Sequence, residues 1–218
     1  MFPVLYSFRR CPYAIRARMA LCHCNIRVEL REVRLADKPK EMLAASEKGT
    51  VPILVLENQT VLDQSLDIMR WAINQSYPNK SLPNSWSIDG SLELETHLIK
   101  LNDSEFKSSL DGYKYGKSSA SLNQIDYRDK AEKFLEQLEK LLTENRFLLG
   151  EYISLADVSI FPFIRQFAGV DPTWFGNSKY ERLAFWLNSF IKSDLFLTSM
   201  TKYPIWEAGS LDKTYYFN

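Results

Sequence analysis

Apolar positions along this chain follow two different rules. Up to residue 76 they switch between strand-like and helical periods; beyond residue 90 only the helical period recurs. Residues 4–8 form a short apolar run rich in β-formers, which predicts a buried strand. From 12 to 24 the apolar positions Ile15, Met19 and Cys22 recur at helical spacing, with Arg16 and Arg18 off that stripe. Pro12 suits a first helical position, where its missing N–H costs nothing, and Asn25 is a reasonable stop. Residues 26–35 alternate, with Val28, Leu30, Val33 and Leu35 set among Arg and Glu, and predict a second strand. A short helix is predicted over 39–46. Strands over 51–56 and 60–62 flank the turn Glu57-Asn58-Gln59 and form a hairpin. A helix over 65–76 turns Leu66, Met69 and Ile73 inward.

The order β-α-β-α-β-β-α implies a right-handed crossover, a parallel pair and an antiparallel hairpin edge. Pro78, Pro83 and several Ser and Asn then mark a linker. Helical spacing resumes over 92–110, 125–142, 153–168 and 180–191, with a short fifth helix over 194–202. A Gly/Ser/Lys-rich break covers 112–121, and no strand is predicted past the linker. The expectation is an α/β domain over 1–77, a linker over 78–88 and an all-α domain over 89–218.

Composition narrows the function classes. A chain of 218 residues has room for one large or two small domains, and 45% apolar with 25% charged residues is ordinary globular usage. Lys+Arg and Asp+Glu balance at 27 each, so no basic field draws the protein to nucleic acid. No apolar run approaches the length of a membrane span, and no membrane partner is expected. Residues 1–80 hold 12 Lys+Arg against 8 Asp+Glu, and residues 81–218 hold 15 against 19; the first part favours a small anion modestly, although a solvated surface explains the split equally well. Three cysteines, Cys11, Cys22 and Cys24, fit a reducing compartment better than a disulfide framework. The opening residues lack the charged and long apolar segments of a secretory signal. The expectation is a cytoplasmic protein that begins with a structural strand.

Cys11 is the sharpest chemical feature. It follows a strand and precedes a helix opening with Pro12, where free backbone N–H groups and the helix dipole favour a thiolate. Arg9, Arg10 and Arg16 add positive potential. The bland alternative is a small buried cysteine. The tetrapeptide Cys11-Pro12-Tyr13-Ala14 resembles the active-site motif of glutaredoxins, with Ala14 where their second cysteine stands. A monothiol site needs an external thiol to resolve a mixed disulfide, and glutathione is the abundant candidate.

Over nearly its whole length the chain is similar to cytosolic glutathione transferases of the cysteine type, close to the omega class. Three further stretches carry this. Gly49-Thr50-Val51-Pro52-Ile53-Leu54 resembles the segment in which the proline is cis and the backbone of the residue before it, here Val51, pairs with glutathione; sequence alone would prefer a trans Pro52 opening an edge strand. Leu62-Asp63-Gln64-Ser65 resembles the segment that holds the γ-glutamyl end. Ser65 matches, and is equally good as a helix N-cap. Gln64 replaces the usual acid, and Asp63 is placed to compensate. Asp37-Lys38-Pro39 puts Lys38 where omega-type relatives reach the glycyl carboxylate; an exposed lysine is otherwise simply solvated.

The resemblance implies a thioredoxin-like N-terminal domain, a helical C-terminal domain, glutathione as co-substrate and a homodimer. It implies Cys11 as catalytic nucleophile and Lys38, Val51, Pro52, Gln64 and Ser65 as glutathione contacts. The expected activity is thiol transfer or dehydroascorbate reduction. The alternatives are conjugation of glutathione to apolar electrophiles, or a non-enzymatic scaffold on the same fold. Tyr113, Tyr115 and Trp174 are candidate walls of an apolar substrate pocket. Ser154 and Asp157 have the spacing of a capping box, flanked by Ile153 and Val158 as a hydrophobic staple. Cys22-His23-Cys24 diverge around a predicted helix, so no metal site is expected.

Overall fold

The computed structural model describes residues 2–76, 86, 92–116, 123–209 and 215–216. They form two compact units: residues 2–76 with 193–209 and 215–216, and residues 86, 92–116 and 123–192.

The first unit is built on a mixed sheet. Strand β1 (Val4–Ser7) pairs in parallel with β2 (Glu29–Glu32) through the crossover helix α1 (Pro12–His23). Strand β3 (Ile53–Val55) runs antiparallel to β1, and β4 (Val61–Leu62) closes the hairpin. The short helix α2 (Lys40–Ala45) precedes β3, and α3 (Ser65–Ser76) packs against α1. This is the predicted order. The second strand is shorter than the alternation over 26–35 suggested. Asn25 sits at φ 51° before it, and the Arg34–Asp37 bridge turns the chain after it. Val28, Leu30 and Val33 are buried, but Leu35 lies beyond the ladder and is exposed.

In the second unit α4 (Leu92–Leu101) continues through a π-helical stretch (Asn102–Phe106) into α5 (Lys107–Tyr115). The Gly/Ser-rich break expected from residue 112 therefore starts later. Gly112 lies within α5, where a Cβ would stand 2.3 Å from the Tyr127 ring; the glycine lets α5 approach α6 (Gln124–Glu144). Helix α7 (Leu155–Ala168) begins at the predicted cap. The Ser154 hydroxyl accepts from Asp157 N, and the Asp157 carboxylate accepts from Ser154 N. Asp157 is fully buried and also accepts from Leu148 N and Trp186 Nε1. Burial pushes its carboxyl up, against the pull of those donors. The short α8 (Pro172–Gly176), capped by Asp171, was not predicted; α9 (Glu181–Ile191) was.

After residue 192 the chain packs with the first unit. Helix α10 (Asp194–Ser199) lies on α1. Trp206 N–H donates to the Glu32 carbonyl at 2.8 Å. A further strand, β5 (Tyr215–Tyr216), pairs antiparallel with β2, giving the sheet order β4-β3-β1-β2-β5. No strand was expected here, because two residues are too few for a period to show. The predicted linker, Trp86 excepted, and residues 117–122 lie outside the described residues. Trp86 is buried, and its carbonyl accepts from Leu155 N.

Candidate active site

β1 delivers the chain to a tight turn. Cys11 N–H closes it on the Phe8 carbonyl at 2.9 Å. Cys11 then caps α1 with an extended backbone (φ −74°, ψ 123°), and its carbonyl accepts from Ile15 N. Pro12 occupies the first turn, so the helix starts without a wasted donor. The cysteine is half-buried, packed against the apolar cluster of Tyr6, Ala14, Val33, Met42, Val51 and Ile53. Its Sγ donates to the Val51 carbonyl at 3.7 Å. The Val51–Pro52 bond is cis, as the resemblance implied. Cys11 thus sits between a helix N-terminus and the cis-proline loop.

Lys38 reaches the same loop. Gly49, at φ +55°, would place a Cβ 3.8 Å from the Lys38 ammonium nitrogen. On α3, Ser65 is buried at the first position while Gln64 is exposed. Arg16 comes across from α1, fully buried, with Nη1 3.5 Å from Ser65 Oγ. Its guanidinium also lies over the Tyr13 ring. Asp63 is already engaged: one oxygen accepts from Lys48 Nζ and the other from Ser46 Oγ, each at 2.7 Å. The Lys48 ammonium and the Ser46 hydroxyl hold its carboxyl below the usual range. It ties the loop before β3 to the start of α3.

The candidate pocket residues belong to the second unit. Tyr113 is buried with its ring 5.1 Å from Phe167, and Trp174 packs on the same phenylalanine at 6.1 Å. The Arg128 guanidinium lies 4.6 Å over Trp174. Tyr115 is instead 66% exposed. An open cavity of 610 Å³ is lined by Phe2, Pro3, Ile26, Leu56 and Trp71. It lies at the opposite end of β1 from Cys11, so it is no part of this site. Burial raises the Cys22 thiol and lowers His23, and no metal-holding cluster occurs among the described residues.

Arg18 and Glu32 were not expected from the sequence to matter here, and Arg16 was expected only as a source of positive potential beside Cys11. Arg16, Arg18 and Glu32 look like surface positions, yet all are buried. Glu32 carried a signal: it is in phase with Val28 and Leu30, the buried face of the alternation.

Family models for the glutathione S-transferase N-terminal and C-terminal domains match residues 5–81 and 104–189. A probable glutathione S-transferase DHAR2, chloroplastic, from Oryza sativa subsp. japonica is 28% identical over 196 residues, which is 84% of this chain and 65% of that protein. The chain thus spans just under two thirds of the rice relative. Glutathione S-transferase omega-1 of Rattus norvegicus is 23% identical over 97% of this chain and 82% of its own. Among solved structures, glutathione transferase Omega 3C from Trametes versicolor superposes with a TM-score of 0.77 at 16% identity, covering 94% of this chain and 91% of that one. A Pseudomonas fluorescens glutathione transferase family member with two glutathione bound gives 0.75 at 16%, covering 91% and 92%. At such identities the solved structures establish the fold. Both domain models match in order along the chain, and the chain is a member of the glutathione S-transferase family.

Proposed function

We propose that this chain is a glutathione-dependent thiol transferase of the omega-like, cysteine type. The observation that carries the reading is the place of Cys11 Sγ, at the N-cap of α1 and 3.7 Å from the Val51 carbonyl of the cis-proline loop. A sulfur at a helix N-terminus favours its thiolate, which is the nucleophile in disulfide exchange.

In the proposed cycle the Cys11 thiolate attacks the glutathionyl sulfur of a mixed disulfide. The S–S bond breaks, the acceptor leaves as a thiolate and takes a proton from solvent, and Cys11 becomes disulfide-linked to glutathione. A second glutathione thiolate attacks that adduct, leaving as oxidised glutathione and restoring Cys11. Ala14 offers no internal thiol to compete with this second step. The backbone of Val51 and the ring of Pro52 shape the edge for the tripeptide. Lys38 takes the glycyl carboxylate, and Ser65, with Arg16 behind it, takes the γ-glutamyl carboxylate. Gln64 offers an amide where a carboxylate would meet the γ-glutamyl ammonium, and Asp63 is occupied by Lys48 and Ser46. Tyr113, Tyr115 and Trp174 remain proposed contacts of the acceptor. A homodimer in a reducing, cytoplasmic setting completes the proposal.

The test is turnover of a glutathionylated peptide by the protein and by Cys11→Ser. The variant is expected to fall to the uncatalysed rate. Full activity in Cys11→Ser would reject the nucleophile.

A further inference from the structure

A charge pair that the proposed cycle does not use lies between β2 and α1. Glu32 is 5% exposed and Arg18 is fully buried. Buried charges persist where partners satisfy them, and the partners here lead to Cys11. Glu32 Oε1 accepts from the Arg9 backbone N–H at 2.7 Å, and Oε2 lies 3.4 Å from Arg18 Nη1. Arg18 Nη2 donates to the Thr201 carbonyl at 3.0 Å. Burial pushes the Glu32 carboxyl up, and the Arg9 amide and Arg18 oppose it.

Arg9 is the second residue of the turn over 8–11 that Cys11 N–H closes on Phe8. The N–H at that position takes no part in the turn's own hydrogen bond. Here it is held by a carboxylate from the neighbouring strand, and a charge-assisted bond of this kind is about twice as strong as a neutral one. Arg18 fixes the second oxygen of the same carboxylate, and Thr201 fixes Arg18. The turn that presents the sulfur is therefore braced from β2.

We propose that Glu32 is a positioning residue for Cys11: its carboxylate, steadied by Arg18, pins the Arg9 amide and so fixes the turn from which the sulfur projects. This rests on the reading of Cys11 as the nucleophile, and it assigns Glu32 no contact with substrate.

The role separates from simple stability in the Arg18→Met background, where no cation is left buried alone. Adding Glu32→Gln keeps an acceptor for the Arg9 amide; adding Glu32→Ala removes it. The readout is the rate of alkylation by iodoacetamide, mapped to the peptide holding Cys11, with melting temperature followed in parallel. Arg18→Met with Glu32→Gln is expected to keep the rate of Arg18→Met alone. Arg18→Met with Glu32→Ala is expected to be slower by about tenfold, the scale of a small misplacement of a reacting group. Equal rates in the two double variants would overturn the proposal. Amide hydrogen exchange of the unaltered protein gives a check that needs no variant. The Arg9 amide is expected to be protected like the β2 ladder, and exchange at the rate of an open turn would also overturn the proposal. A Cys11 that iodoacetamide does not touch in the unaltered protein would instead reject the nucleophile itself.

Discussion

At the scale of single residues, two thiols in one helix are set apart by their surroundings. Cys11 caps the N-terminus of α1, whereas Cys22 lies in its last turn, where burial raises its thiol. A raised thiol holds less thiolate near neutral pH and reacts more slowly. Limiting iodoacetamide at neutral pH is expected to label Cys11 before Cys22, read by peptide mapping; the reverse order would contradict the assignment. Gln64 supports a second prediction. Restoring a carboxylate there should pair with the γ-glutamyl ammonium, and one charge-assisted contact is worth about 1.5 kcal/mol, or roughly tenfold in affinity. Titration calorimetry is expected to show Gln64→Glu binding glutathione more tightly; unchanged affinity would show that the ammonium does not meet residue 64. The setting of Cys11 was legible because it depends on local chain order, a cysteine before a helix-opening proline. The burial of Arg16, Arg18 and Glu32 was not, because only the fold reveals the partners that make it tolerable.

At the scale of elements, side chains fix how neighbouring segments meet. Asp63 links the segment before β3 to the start of α3 through Ser46 and Lys48. Lys48 and Ser46 hold its folded carboxyl below the ordinary value. The stability it confers is complete above the unfolded value, near about pH 4, and is lost as pH falls through the folded value. Acid unfolding followed by circular dichroism is expected to be less steep for Asp63→Asn; an identical acid profile would contradict the link. In the second unit, Gly112→Ala drives a methyl into the Tyr127 ring. Overpacking of this kind costs about 1–3 kcal/mol, and the cost should shrink when Tyr127→Ala is added, both read by denaturant unfolding. The long helices were legible from their period, and α7 from its capping box. The extent of α5 was not, since a glycine read as a breaker was serving close packing against α6.

At the scale of the whole molecule, the C-terminal stretch gives the sheet more than the sequence suggested. The Arg31 guanidinium lies over both the Tyr6 and Trp206 rings, at 5.3 and 4.3 Å, and its Nη1 donates to the Tyr6 hydroxyl. Thr201 and Trp206 bond to Arg18 and Glu32, and β5 covers the edge of β2. An uncovered edge is a template for aggregation. A chain ending at Met200 is expected to melt earlier and to aggregate more readily, measured by calorimetry and light scattering; unchanged behaviour would deny the tail this role. The division into an α/β half and a helical half was readable from the switch in period, but the return of the chain after residue 192 rests on long-range contacts that no local pattern encodes. The central claim concerns one sulfur, and it is tested most directly by intact-mass spectrometry after incubation with oxidised glutathione. The account predicts a single glutathionyl adduct, mapped to the peptide holding Cys11 and removed by reduced glutathione. No adduct, or one mapped only to Cys22 or Cys24, would contradict it.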